Sequence, residues 1–295
     1  MRQTRLLPST SRLLNKEAQI LALHGFTGCG EDFAKFSPLC GSAHVWTCPN
    51  LPGHGPQPSL DCTPEATVQL IDQHAAKLSG KVEATRVSLD PQSDRSVAST
   101  HLSSDKSTAA TAPRILLGYS MGARAALLHA VAHPAQWDAL ILISANPGIE
   151  DESERASRAA SDQALAQRIT ASGVPAFLDD WQQTPMIRSQ QHIRADWQAP
   201  MQHNRLQQSA EGLAASLEQF GQAACPNLWP QLNRLPCPAL LISGEQDSKY
   251  CAIAQRMQRS VPQAQWASIA QVGHMPHLEA PEATATEIQS FIALL

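Results

Sequence analysis

Gly118-Tyr119-Ser120-Met121-Gly122 is a G-x-S-x-G string, preceded by the apolar run Arg114–Gly118 and followed by a helical pattern over Met121–His133. Between a strand and a helix, such a turn is tight enough to strain the serine backbone, and only small residues can flank it. The Ser120 hydroxyl would then stand above the sheet. A serine hydroxyl is a poor nucleophile or proton relay without a base. Downstream lie Asp247, in Gly244-Glu-Gln-Asp247, and His274, in Val272-Gly-His-Met-Pro-His277. Each falls just past a predicted strand, in the chain order Ser, Asp, His that this turn uses. Asp247 would hold the imidazole tautomer, and His274 would take the proton from Ser120. Glu245 is a competing acid, but Asp247 lies deeper in its loop. His277 makes an H-x-x-H with His274; lacking a third ligand, it reads as a loop-fixing histidine rather than a metal ligand. An oxyanion hole needs two donors. The Met121 amide is one candidate, and the Phe26 amide of His24-Gly-Phe-Thr-Gly28 is the other. Leu51-Pro-Gly-His54-Gly55 reads as a structural turn, with no chemistry assigned to His54.

These residues need a scaffold that brings strand ends together. Ala18–Leu23, Ala43–Cys48, Arg114–Gly118, Ala139–Ser144, Pro238–Ser243 and Gln265–Ala270 read as buried strands with helical stretches between them. That alternation predicts βαβ units and a mostly parallel sheet flanked by helices. Thr63-Pro64-Glu65 has the order of a capped helix start, and Val68, Ile71, Ala75 and Leu78 follow on one helical face. A last helix opens at Pro281-Glu282 and buries Ile288, Phe291, Ile292 and Leu295. Residues 80–113, rich in Ser, Thr and Ala, read as a mobile surface insertion. Residues 148–236 are helical and polar-rich, which suggests a cap over the ligand crevice. The expected division is a core of 1–147 with 237–295, and a helical cap of 148–236.

With 43% hydrophobic and 16% charged residues among 295, the chain is neither disordered nor fibrous. Its net charge of −4 argues against nucleic-acid binding. No apolar run is long enough to span a bilayer, and Met1–Pro8 lacks the apolar stretch of a signal peptide. Seven cysteines without C-x-x-C spacing suggest reduced thiols and a cytoplasmic setting. All seven basic residues between 148 and 236 are arginine, the better residue for forked carboxylate recognition. Arg124 lies one helical turn past Ser120 and can approach the same crevice.

Leu23-His-Gly-Phe-Thr27, Leu51-Pro-Gly-His-Gly55, Gly118-Tyr-Ser-Met-Gly122 and Gly273-His274 together resemble the α/β-hydrolase superfamily over almost the whole chain. More finely, Gly118-Tyr-Ser-Met-Gly-Ala-Arg124 resembles the elbow of the 2-succinyl-6-hydroxy-2,4-cyclohexadiene-1-carboxylate synthases of menaquinone and phylloquinone biosynthesis. Asn146-Pro-Gly-Ile149, Glu154-Arg-Ala-Ser-Arg158 with Asp162, Phe177-Leu-Asp-Asp-Trp181 and Gly244-Glu-Gln-Asp-Ser-Lys249 are similar to other segments of that family. Ala123 replaces a glycine, Asn50 stands where an acid often does, and the 80–113 insertion is longer than the family needs. The resemblance implies a lyase that eliminates pyruvate from an enolpyruvyl tricarboxylate without metal or organic cofactor. It implies Arg124, Arg158 and Arg205 as carboxylate ligands, with Tyr119 and Trp181 lining the pocket. A carboxylesterase or carbon–carbon hydrolase acting through an acyl-enzyme on Ser120 is the alternative. The expected partner is a small polycarboxylate, and nothing in the sequence fixes the oligomeric state.

Overall fold

The computed structural model describes residues 17–78 and 112–295; the 80–113 insertion lies almost entirely outside them. Six strands form one parallel sheet in the order β2-β1-β3-β4-β5-β6. They are β1 (Gln19–Leu23), β2 (Val45–Thr47), β3 (Arg114–Tyr119), β4 (Ala139–Ile143), β5 (Ala239–Gly244) and β6 (Ala264–Ile269). The central runs ALILI of β4 and ALLISG of β5 are buried throughout, as a sheet covered on both faces requires.

One face is covered by α1 (Pro64–Leu78), α2 (Met121–Ala132) and α7 (Ser248–Ser260), and the other by α9 (Pro281–Ile292), which follows the single turn α8 (Pro276–Glu279). In α1 the Thr63 hydroxyl accepts the Ala66 N–H at 3.2 Å, and the Pro64 ring opens the helix. Its buried stripe is Thr67, Ile71, Ala75 and Leu78, so Thr67 takes the place expected of Val68. At the other end of the chain, Leu295 is only partly buried while Ile288, Phe291 and Ile292 are fully so.

Between β4 and β5 the chain runs through α3 (Glu152–Trp181), α4 (Pro185–Arg188), α5 (Ala195–Leu206) and α6 (Ala210–Phe220). These helices have their own apolar cluster, in which Ile169, Phe177 and Leu213 are buried. Gly173, at φ 80° and ψ 167°, breaks α3 just ahead of Pro175, which therefore begins a new helical segment instead of disrupting one. The break turns the Phe177–Trp181 segment back toward the loop after β1, where Phe26 meets both aromatic rings edge-on.

Strand order reverses between β1 and β3, with β2 beside β1 on one side and β4 to β6 on the other. Loops leaving β1 and β3 part there and open a crevice at the strand carboxyl ends. His24–Gly28 and Ser120 occupy those two loops.

Candidate active site

Ser120 sits at the end of β3 with φ 52° and ψ −107°, a left-handed conformation that costs a non-glycine residue energy. Bonds on both sides hold it there. Its N–H donates to the Ile143 carbonyl at 2.8 Å, and its carbonyl accepts the Arg124 N–H at 3.1 Å. The flanking glycines are required by distance: a Cβ on Gly118 would lie 2.3 Å from the Gly122 carbonyl oxygen, and one on Gly122 would lie 2.1 Å from that of Leu23. Both obstacles are backbone and cannot swing aside. Gly122→Ala is therefore expected to destabilise the fold by about 3 kcal/mol, at the upper end of ordinary overpacking. Urea unfolding checks this; an unchanged midpoint would mean that the elbow is looser than described.

The structure brings Ser120, His274 and Asp247 together. Ser120 Oγ lies 3.0 Å from His274 Nε2, and His274 Nδ1 lies 2.6 Å from Asp247 Oδ2. A carboxylate only accepts, so Nδ1 carries the proton and Nε2 presents its lone pair to the serine hydroxyl. The acid is itself held by capping α7, with Oδ1 accepting the Tyr250 N–H at 3.3 Å. Glu245 faces elsewhere and accepts the Gln271 N–H. The His274 loop is pinned by Glu279, whose carboxylate accepts the N–H groups of Gly273 and Met275 at 2.7 and 2.9 Å. Ser144 adds a third tie, donating its hydroxyl to the His274 carbonyl at 2.8 Å. Tyr250 lies edge-on to the imidazole, with ring centroids 4.4 Å apart.

His24 organises the facing loop. Leu51 N–H donates to its Nε2 at 3.0 Å, which leaves the proton on Nδ1, 2.9 Å from the Gly25 carbonyl. That bonding scheme needs a neutral ring, and burial drives the His24 pKa down to about 3. Gly25 is constrained as well, since a Cβ there would meet the Tyr119 ring at 2.6 Å. His54 packs edge-on against His24 and donates its Nδ1–H to the Pro52 carbonyl at 3.0 Å, in a buried turn. His277 is buried among Phe33, Phe36 and Tyr119, its centroid 4.5 Å from the tyrosine ring. Neither histidine lines the cavity beside Ser120.

That cavity, of about 480 Å³, lies between Ser120 and the helices that follow β4. Phe26, Tyr119, Met121, Arg124, Arg158, Trp181 and Arg205 all line it, together with Ser120 and His274. Its polar equipment is mostly donors. Arg124 spends one nitrogen on the Phe220 carbonyl at 2.7 Å and leaves Nε without a partner. The Trp181 indole N–H is likewise buried and unpartnered. Arg158 bridges Asp162 and Gln222, each at 2.8 Å. Arg205 is 3% exposed and bonds Gln190, with Nε and Nη1 free. Phe220, Leu165, Leu217 and Ile187 supply apolar wall between these groups.

Only two of the seven arginines between 148 and 236 reach this cavity. Arg155 donates to the Ala223 carbonyl, Arg168 and Arg194 pair with exposed acids, and Arg188 and Arg234 are exposed. The absence of lysine in that stretch therefore says less about carboxylate binding than the regional count implied. Sequence reasoning also passed over Gln190, Gln222 and Tyr250, all of which line the cavity. A buried glutamine reads like a surface one in a polar helix. Tyr250 could have been placed, because a helix capped by Asp247 puts its third residue directly against the cap.

One cluster elsewhere has metal-like composition. Asp72 of α1 meets His129 of α2 and His133 just past its end, with His129 Nε2 3.0 Å from the carboxylate. Trp137 decides its chemistry: the indole N–H donates to His129 Nδ1 at 3.0 Å. The imidazole proton must then sit on Nε2 and donate to Asp72, where a metal would need a lone pair.

Comparison with known proteins agrees with this architecture. The model of the Alpha/beta hydrolase family matches residues 20–287. A Bacillus subtilis (strain 168) protein named for 2-succinyl-6-hydroxy-2,4-cyclohexadiene-1-carboxylate synthase activity is 35% identical over 177 residues, covering 60% of this chain and 65% of its own. The synthase so named from Enterobacter sp. (strain 638) is 32% identical over 179 residues, 61% of this chain and 66% of that one. The chain thus spans just under two thirds of the length of these two relatives. The solved structure of MenH from S. aureus superposes with a TM-score of 0.79 at 27% identity, covering 93% of both chains. With the strand order, the strained serine and the family match in agreement, the chain belongs to the alpha/beta hydrolase family.

Proposed function

We propose that the protein is a carbon–oxygen lyase of menaquinone or phylloquinone biosynthesis. It would eliminate pyruvate from 2-succinyl-5-enolpyruvyl-6-hydroxy-3-cyclohexene-1-carboxylate to give 2-succinyl-6-hydroxy-2,4-cyclohexadiene-1-carboxylate. The observation that carries this reading is the pairing of a Ser120–His274 base with a cavity whose unpartnered buried groups are mainly N–H donors, two of them arginines. A tricarboxylate supplies acceptors for these donors. Similarity to proteins named for that synthase supports the same choice.

In this mechanism Ser120 Oγ takes the carbon-bound proton beside the succinyl ketone and passes its own to His274 Nε2. The electron pair left on carbon becomes an enolate, whose oxygen the Phe26 and Met121 amides receive. Such donors contribute roughly 3 kcal/mol each. The enolate then expels the enolpyruvyl oxygen through the ring double bond, and the protonated His274 returns the proton. Enolpyruvate tautomerises to pyruvate. Asp247 keeps the imidazole in the tautomer both transfers need and stabilises its charged form. Arg124, Arg158 and Arg205 bind carboxylates, and Tyr119 and Trp181 form the walls, so that the proton points at Ser120. The helices of residues 148–236 act as the cap over a core of 1–147 and 237–295. We assign a cytoplasmic setting, supported by seven unpaired cysteines; no helix among the described residues is long and apolar enough to cross a membrane.

Incubation with the enolpyruvyl substrate tests the reading: pyruvate should accumulate stoichiometrically with the cyclohexadiene, and none at micromolar enzyme would end it. Arg124→Ala should lower kcat/KM for this substrate about a hundredfold, the loss of a charge-assisted contact made in the productive complex. Its melting temperature should move by only a few degrees. A collapse of the melting temperature with unchanged turnover in the surviving fraction would make Arg124 a framework residue.

A further inference from the structure

Gln190 lies in the short turn Ser189–His192 after α4 and is 4% exposed. Its Oε1 accepts the Arg205 Nη2 hydrogen at 2.7 Å. A guanidinium can only donate, so chemistry fixes the amide orientation: oxygen toward Arg205, NH₂ away from it. That NH₂ has no partner, and the side chain lines the cavity beside Ser120. Arg205 adds two further unpartnered donors, Nε and Nη1. Asp32 lies close enough to act on the Arg205 charge, but its oxygens are hydrogen-bonded by Asn204 and the Cys29 N–H and not by the guanidinium. Two touching side chains thus present a buried positive charge and several N–H groups with nothing to receive them. Buried donors and cations left in that state are costly. A hydroxyl would satisfy one of them. A carboxylate has two oxygens, four acceptor sites and the opposing charge.

We propose that Gln190 is a specificity-determining residue of this cavity, its amide N–H meeting the same ligand carboxylate that Arg205 binds. The inference rests on the tricarboxylate reading above and adds to it a second donor and a direction of selectivity. A carboxylate is accepted, whereas a neutral carboxamide at the same position brings its own N–H groups against donors and is rejected.

The test uses Gln190→Met and Gln190→Glu in the full-length protein. Their affinity for tricarballylate is measured by calorimetry, and their KM and kcat with the enolpyruvyl substrate by pyruvate release. Gln190→Met should raise Kd and KM about tenfold, with kcat within threefold of the parent. Gln190→Glu should raise both about a hundredfold, because it replaces a donor by a negative charge. A residue that merely held Arg205 would behave differently: glutamate holds a guanidinium at least as firmly, so Gln190→Glu would bind like the parent. That result overturns the proposal, as does a Gln190→Met protein, natively folded by circular dichroism, that binds tricarballylate within twofold of the parent. A parent that binds tricarballylate through Gln190 but releases no pyruvate would remove the proposed reaction and leave this ligand assignment standing.

Discussion

Ser120→Ala and His274→Ala are each expected to lower kcat for pyruvate release a thousandfold or more, about 4 kcal/mol of transition-state stabilisation. The expectation follows from how little else in the cavity could take up a proton. His274 Nε2 is the lone pair facing the serine hydroxyl, at 3.0 Å. The unpartnered buried groups that line the cavity are guanidinium, indole and amide N–H donors, apart from one oxygen of Asp162, whose carboxylate is held by Arg158. Because the two residues act as one relay, the double variant should be scarcely slower than the worse single one. Asp247→Asn should also be severe, since an amide at 2.6 Å from Nδ1 can present its NH₂ and stabilise the wrong tautomer. Stopped pyruvate assays on variants with native circular dichroism decide the matter. Turnover by Ser120→Ala near that of the parent would remove the serine from the reaction and leave His274 as a direct base.

Much of this geometry was legible because short-range rules bear on it. The elbow could be read from five residues: Gly118 and Gly122 are glycine because backbone oxygens lie within 2.3 Å of where a Cβ would stand. The inner strands β1, β3, β4 and β5 were legible to within one residue because buried parallel strands are near-continuous apolar runs, whereas the edge strands β2 and β6, also read as buried, are only partly so. Less accessible were features set by contacts across the fold. The Ser144 tie to the His274 carbonyl joins residues far apart in the sequence, whereas Glu279 acts locally, on N–H groups of its own loop. His24 looked like part of a glycine turn, yet its two ring nitrogens fix the geometry of that turn. Regional arginine content misled for a similar reason. Which face of α3 or α5 meets the cavity depends on the break at Gly173 and on packing against Phe26, and composition is blind to both.

Three buried histidines around the site, none of them the proposed base, tie stability to pH. Burial holds the pKa of His24 near 3, of His54 near 4 and of His277 near 3, against 6.5 for an unperturbed imidazole. A base with a depressed folded pKa stays neutral in the folded chain while the unfolded chain takes up protons. The unfolded state therefore binds more protons between pH 6.5 and about 4, so stability falls as pH drops through that window and is intact above it. At pH 5 each histidine removes about 2 kcal/mol, or roughly 6 kcal/mol together, comparable with the whole stability of many domains. Asp32 opposes this: burial raises its carboxyl pKa, which favours the folded chain as it protonates. Urea unfolding should accordingly show a loss of several kcal/mol between pH 7 and pH 5. His277→Phe should lessen that loss by about 2 kcal/mol, because a phenyl ring among Phe33, Phe36 and Tyr119 has no proton to gain. Equal unfolding free energies at the two pH values would mean that these rings are hydrated in the folded protein. The neutral His24 that shapes the loop facing Ser120 would then lose its basis.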